Sequence, residues 1–506
     1  MTSPARPAPA AVALPAADAV AGRLSALVRV RTISSRVPEE VDPARFAELV
    51  ALLETLYPHV HRVLERELVS RPSDDGVAAQ GQSLLFRWRG TGGADGEREP
   101  VVLMAHYDVV AVPGLPVPVD DVDARVEGWT HPPFAGVVRD GAVWGRGTLD
   151  DKGALVVVLE AVEALVAAGW TPPRDVYLSF GHNEETAGDG AREAVRRLRE
   201  RGVTPWLVLD EGGAVVQGAM PGVASPTAVV GIAEKGILDL ELSTRDEGGH
   251  ASTPAPGGAT VRLARAITRI DDHPFKPRLS EPVRALLATL ADHADGPMRR
   301  VFANADRLGP VVARAFTRLG VEPAALVRTT VAITQLEGSP GANVLAQTAR
   351  ANANIRILPG ETVASVVARL TRVIGDPSVT LRVVSGENPS PVSPAGGPQW
   401  EVLRTALGAS YPDAVLTPYV QLGASDSRHY CAISEHVYRF SPFDLTPEQR
   451  GSIHGIDEHL TVDALGRGVA FVAALLEAVP APGPAAPGPA AASPAAQGSA
   501  GGVTAP

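Results

Sequence analysis

Cysteine is nearly absent: Cys431 is the only one in 506 residues, which excludes an intrachain disulfide and a thiolate-bound zinc. Lysine is scarce, with Lys152, Lys235 and Lys276 the full set, and arginine carries the remaining positive charge. Positive charge is also short overall. A net charge of −11 argues against a general nucleic-acid binder, which needs a basic surface to neutralise phosphates. No apolar run is long and clean enough to span a membrane. The Pro/Ala-rich start lacks a signal-type apolar region, because Pro15 and Asp18 interrupt it, so a cytoplasmic location is expected. No G-x-S-x-G elbow surrounds Ser425 or Ser427, which disfavours a serine hydrolase. What is present is 45% hydrophobic content, enough for two or three domains with sizeable cores.

Residues 1–18 read as a loose leader. Residues 480–506, rich in Pro, Ala, Gly and Ser, read as a disordered tail. Between them, short apolar strands alternate with helices, as at 101–105, 154–165, 176–180, 190–201 and 207–209. This predicts an α/β fold: a mixed, largely parallel sheet flanked by helices, built from residues 19–225 and 386–479. A change of texture, with alternating strands and several helices, predicts an α+β domain inserted at 226–385. The Gly-rich 90–96 segment is expected to be a hairpin connection between strands at 83–88 and 100–105. It has no P-loop lysine, which speaks against phosphate binding.

Ligands of such sheets collect beyond the carboxyl ends of the strands, and acidic or histidine clusters stand at those ends. His106 and Asp108 lie two apart and point the same way; a metal-bound imidazole needs an acceptor on its other nitrogen, and Asp108 is placed to be one. Asp150 and Asp151 end the turn Val143-Trp144-Gly145-Arg146-Gly147-Thr148-Leu149. Neighbouring acids beside an apolar helix are costly unless a cation compensates them. Glu184 and Glu185 diverge as neighbours must, which suits one metal ligand and one general base. Asp210, with Glu211 as the alternative, and His454 complete the candidate ligands. Each cluster by itself also reads as a solvated acidic turn or a helix cap. His and carboxylate ligands without cysteine suit catalytic zinc, with cobalt or manganese as substitutes.

The segments MAHYDVV, WGRGTLDDKGAL, FGHNEETAGDGA, LDEGG, AEKG, GGHAS and SIHG, in this order, resemble the di-zinc metallopeptidase family of acetylornithine deacetylase, succinyl-diaminopimelate desuccinylase, aminoacylase, carnosinase and carboxypeptidase S. AEKG and DEGG lean toward the carboxypeptidase S branch. The resemblance implies two Zn²⁺ per chain: His106 and Asp210 on one, Glu185 and His454 on the other, Asp150 bridging both. It implies that Asp108 orients His106, that Glu184 is the general base, and that His250 of the inserted domain stabilises the oxyanion. It further implies recognition of a substrate carboxylate by Arg356, Asn343 and the loop containing Gly423 and Ser425. The implied substrate is a small peptide or N-acyl amino acid, cut at an amide next to a free carboxylate. Members of the family often pair through the inserted domain while others are monomers, so the resemblance leaves homodimer and monomer both open. The competing expectation is a catalytically silent binding or scaffold protein of the same fold, which would lack ligands; here every ligand position is filled.

Overall fold

The computed structural model describes residues 12–69, 82–116 and 121–483. Most of the expected leader and the tail from 484 onward lie outside the described residues. The core is an eight-stranded sheet. In order across it run Glu65–Val69, Ser83–Trp88, Val176–Gly181, Val101–His106, Leu207–Val216, Val437–Asp444, Thr227–Glu234 and Val415–Gln421. The central strands are parallel to one another, and antiparallel pairings occur toward both edges. The mixed, largely parallel sheet expected from the alternation is therefore present. Val101–His106 and Val176–Gly181 are buried along their whole length, which is why both are continuous apolar runs without alternation. The helices Ala17–Val28, Lys152–Ala167, Gly397–Ser410 and Val462–Ala478 share one core with the sheet. Gly190–Glu200 packs into a second apolar cluster with Leu85, Val102 and Tyr177.

The expected hairpin at 90–96 is not formed. Ser83–Trp88 and Val101–His106 both pair with Val176–Gly181, from opposite sides, and the connection contains the short helix Gly93–Arg98. Gly90 passes so close to a later segment that a Cβ there would lie 2.4 Å from the Arg174 carbonyl carbon. The glycine serves that crossing instead of a tight turn.

The inserted sheet is antiparallel, in the order Thr330–Glu337, Thr348–Ile357, Gly236–Arg245, Thr380–Glu387. Burial alternates along Gly236–Arg245, as in a sheet with one covered face; the helices Ala259–Asp272 and Val363–Ile374 cover it. Two boundaries differ from expectation. Thr227–Glu234 belongs to the main sheet, so the chain crosses over at Lys235 and not at 226. The apolar–polar alternation of residues 229–243, which by itself reads as one strand, is two strands in different sheets. The helices Glu281–Ala291, Gly296–Ala303, Ala305–Leu319 and Val321–Val327, expected within the insertion, form a core with Val415 and Val420 of the main sheet's edge strand. Lys235 fastens them: its Nζ donates to the Ala325 and Arg328 carbonyls, each at 3.0 Å. Among the described residues, no helix is long and apolar enough to cross a membrane.

Candidate metal centre and active site

The strand ends deliver the acids and imidazoles to one place. His106 is the last residue of its strand, Asp150 ends the turn before the helix Lys152–Ala167, Glu184 and Glu185 open a single helical turn after Val176–Gly181, and His454 comes from a loop near the far end of the chain. The Asp150 carboxylate lies between the two imidazoles: Oδ1 is 2.9 Å from His106 Nε2, and Oδ2 is 3.0 Å from His454 Nε2. His454 Nε2 is also 3.0 Å from Glu185 Oε2. Two groups of candidate ligand atoms result, each within 4.8 Å: His106, Asp150 and Glu211, and Asp150, Glu185 and His454. Asp150 belongs to both. The Asp150–Asp151 peptide is cis. His454 has φ of 60°, a left-handed conformation that costs a non-glycine residue roughly 1 kcal/mol or more and persists only where its surroundings hold it.

Of the two candidates Asp210 and Glu211, the structure brings the alternative, Glu211, to the other ligand atoms. Glu211, and not Asp210, reaches His106 and Asp150. Asp210 Oδ2 instead accepts the Ser427 N–H at 2.8 Å. Both acids are in Leu207–Val216, at a break in register where Asp210 pairs with Arg439 and Gly213 with Phe440, and the irregularity turns the two carboxylates to different partners.

Asp108 has the orienting position expected of it. It is fully buried, with Oδ1 3.3 Å from His106 Nδ1. Its two oxygens also accept the backbone N–H groups of Glu184 and Glu185, each at 3.1 Å, and the Ser34 hydroxyl at 2.6 Å. Asp108 thus holds the imidazole through its backbone carbonyl, 3.1 Å from His106 Nδ1, together with its carboxylate, and the same carboxylate fixes the turn bearing the two glutamates. Burial works against charge on His106, yet its bonds to Asp108 and Asp150 hold its pKa well above the usual histidine value. The same bonds, with His454, overcome burial and pull Asp150 far below the usual carboxylate range. His454 is raised to about 10 by its bonds to Asp150 and Glu185. Glu184 is pushed well up by burial and by the charges of Asp426, Asp150 and Glu185. Burial and the neighbouring acids push Glu211 up as well.

The expected substrate-facing residues divide. Arg356, half-buried on Thr348–Ile357, makes no hydrogen bond or ion pair among the described residues. Burial and the Arg428 charge depress its pKa, and it feels the opposing charge of Glu184, which puts it within electrostatic reach of the metal centre. His250 and Asn343 are exposed and adjacent, the Ala251 N–H donating to the Asn343 carbonyl at 3.0 Å. His250 Nδ1 is 2.7 Å from Ser252 Oγ, and His250 is not among the groups gathered at Asp150. Ser425 does not present its hydroxyl to a ligand. It is buried and donates to Glu234 Oε1 at 2.9 Å, where Glu234 also receives Arg439 Nε at 2.7 Å. Gly423 is exposed in the same loop.

Sequence reading missed Glu458, whose fully buried carboxylate accepts three backbone N–H groups of the Gly145–Asp150 turn. The available signal was Arg146, a cation in a Gly-rich turn that needs a counter-charge once buried. It also missed the role of Lys152, whose Nζ donates to the Leu27 and Val30 carbonyls at 3.0 and 2.6 Å, a cation at a helix C-terminus. Burial lowers its pKa to about 7.

These residues fit a divalent-cation site. Glu185 Oε1 and Asp151 Oδ1 are buried with no hydrogen-bond partner, an expensive arrangement for a carboxylate that nothing compensates. The donor set, imidazole nitrogen and carboxylate oxygen, is the one zinc takes in catalytic sites.

A family model described as Peptidase family M20/M25/M40 matches residues 102–478. "Probable carboxypeptidase S-like 2" of Dictyostelium discoideum is 32% identical over 466 residues, covering 90% of this chain and 84% of that protein. "N-fatty-acyl-amino acid synthase/hydrolase PM20D1" of Homo sapiens is 33% identical over 389 residues, covering 76% and 75%. Among solved structures, an M20 family metallo-carboxypeptidase, Sso-CP2 from Sulfolobus solfataricus, superposes with a TM-score of 0.61 at 15% identity, covering 90% of this chain and 98% of that one.

Proposed function

The chain belongs to peptidase family M20/M25/M40, and from that premise we propose that it is a two-zinc hydrolase that cuts an amide or peptide bond next to a free carboxylate. Its substrates on this reading are dipeptides, C-terminal peptide bonds or N-acyl amino acids. The observation that carries the reading is the Asp150 carboxylate, shared by two ligand groups, with the raised-pKa Glu184 beside them. His106, Asp150 and Glu211 would hold one cation, and Asp150, Glu185 and His454 the other.

Cations bound there supply Lewis acidity, polarising a carbonyl oxygen and acidifying water. The rest is the work of the chain. Glu184 Oε takes the proton of the attacking water and returns it to the departing amine, the role of a carboxylate placed beside the cation ligands. Asp108 keeps the Nδ1 side of His106 occupied, so that Nε2 faces Asp150. Arg356, which has no ion-pair partner among the described residues, clamps the substrate carboxylate from the inserted domain. His250 donates to the oxyanion when the inserted domain approaches.

Metal analysis combined with a substrate screen tests this. Purified chain supplied with zinc, cobalt or manganese is assayed on N-acyl amino acids and dipeptides, with their amidated analogues alongside. The expected result is near two metals per chain and hydrolysis that requires the free carboxylate and stops with chelator. Turnover insensitive to chelators, or a chain that takes up no metal, would sink the proposal.

A further inference from the structure

We propose that Glu458 is a positioning residue: it sets the geometry of the Glu185–His454 cation site by strapping the loop that carries His454 to the turn that carries Asp150. This rests on the metal-centre reading above. Glu458 has no exposed surface and Arg146 is 1% exposed. Glu458 Oε1 accepts the N–H groups of Gly147 at 3.0 Å, Leu149 at 2.8 Å and Asp150 at 3.1 Å. Its Oε2 faces Arg146 Nη1 at 2.5 Å. Arg146 Nη2 in turn donates to the carbonyl of Gly455, next to His454, at 2.8 Å. The Gly145 N–H donates to the Glu458 carbonyl at 2.8 Å, and His459 stacks on Trp144 at 4.1 Å between ring centroids.

These contacts close a ring. From Asp150 it runs through its own N–H to Glu458, on to Arg146, to the backbone beside His454, and back through the 3.0 Å contact of His454 with Asp150. That ring fixes how far the His454 imidazole stands from Asp150, and it explains how the left-handed backbone at His454 is held. His106 is positioned otherwise, by its sheet strand and by Asp108. Asp150 is common to both ligand groups, so the strap reaches both through the Asp150 turn, but it holds the Glu185–His454 group at a second point, the backbone beside His454, and its loss weakens that group more. Three amides and a guanidinium converging on one buried carboxylate are costly to leave unanswered, so the ring is rigid when intact and loosens when Glu458 is altered. Groups that orient metal ligands are worth about tenfold to a hundredfold in metal affinity.

The test is a zinc titration of the metal-free chain in competition with a chromophoric chelator. His454→Ala assigns which of the two affinities belongs to the Glu185–His454 site. Glu458→Gln keeps an acceptor for the amides but sets an amide NH₂ against Arg146; it is expected to widen the gap between the two affinities at least about tenfold. Glu458→Asp keeps the charge on a shorter stem and is expected to fall between. Tyr57→Phe deletes a buried hydroxyl that donates to Glu160 at 3.1 Å and serves as the destabilised reference, with both affinities unchanged. Equal weakening of both sites in the Glu458 variants, or none, overturns the proposal. If Glu458→Gln does not fold, Glu458→Asp carries the same comparison. A wild-type chain that takes up no zinc refutes the metal reading itself, a result distinct from either.

Discussion

Asp210 and Glu211 are adjacent, yet they serve different places: Glu211 turns to His106 and Asp150, while Asp210 accepts the Ser427 amide at 2.8 Å. Glu211→Gln should therefore weaken cation binding at the His106 site, by about tenfold or more on the scale of lost ligand support. Asp210→Asn should act mainly through the 425–427 loop, lowering the thermal midpoint with a smaller change in cation affinity. Metal titration beside thermal melts separates the two. A greater loss of metal affinity in Asp210→Asn would restore Asp210 as the ligand.

Glu184 is expected to be the proton carrier. Glu184→Gln should keep the fold and the metal content and lose roughly 10²–10⁴-fold in kcat, the usual contribution of a positioned acid–base group. Turnover close to wild type with metal bound would remove Glu184 from that role.

Among the described residues the Arg356 guanidinium has no hydrogen-bond or ion-pair partner, which leaves its charge for a ligand. Arg356→Ala should raise KM for substrates with a free carboxylate by roughly 10–100-fold, the equivalent of losing a charge-assisted hydrogen bond. The amidated analogue should bind the variant and the wild type equally poorly. Parallel KM measurements on the two substrates decide it.

His250 is exposed and bonded to Ser252. His250→Ala should leave the metal content and melting temperature unchanged and reduce kcat by roughly 10²–10³-fold, as loss of an oxyanion donor does. Unchanged kinetics would show that the inserted domain supplies no such donor.

Lys235 gives a stability prediction with a definite sign. Burial and the Arg356 charge lower its folded pKa to about 7 from a usual 10.5. Between those values the unfolded chain binds a proton that the folded chain has released, so stability rises with pH across that window, by at most about 1.4 kcal/mol per pH unit. The contribution is fully present above about 10.5 and lost as pH falls through about 7. Urea unfolding of wild type and Lys235→Met at several pH values should show the wild type gaining on the variant from pH 7 to 10 and a flat difference below 7.

The sheet and the strand-end clusters were legible because they follow from local rules: continuous apolar runs for strands covered on both faces, and ligands at their carboxyl ends. Asp108, Asp150, Glu185 and His454 needed no more than that together with the family resemblance. The choice between Asp210 and Glu211 was not legible, since a break in strand register just there decides which carboxylate meets the site. The partner of the Ser425 hydroxyl was not legible for a similar reason: it is Glu234, distant in sequence. The 281–327 helices were misplaced because an amphipathic helix advertises an apolar face without naming the sheet it covers. Glu458 left no periodic trace; its partners are backbone amides, and every residue has those.

The insertion joins the main sheet through a narrow neck. A Cβ on Gly236 would stand 2.6 Å from the Glu387 carbonyl oxygen and 2.7 Å from the Pro389 nitrogen, so the outgoing and returning strands touch there. An engineer wishing to graft a different specificity module might cut at that point, as at a plug and socket. Yet the excised piece would take with it the helices that shield Val415 and Val420, leaving the truncated enzyme with a bare, sticky rim. A clean transplant has to leave residues 281–327 behind and splice around them.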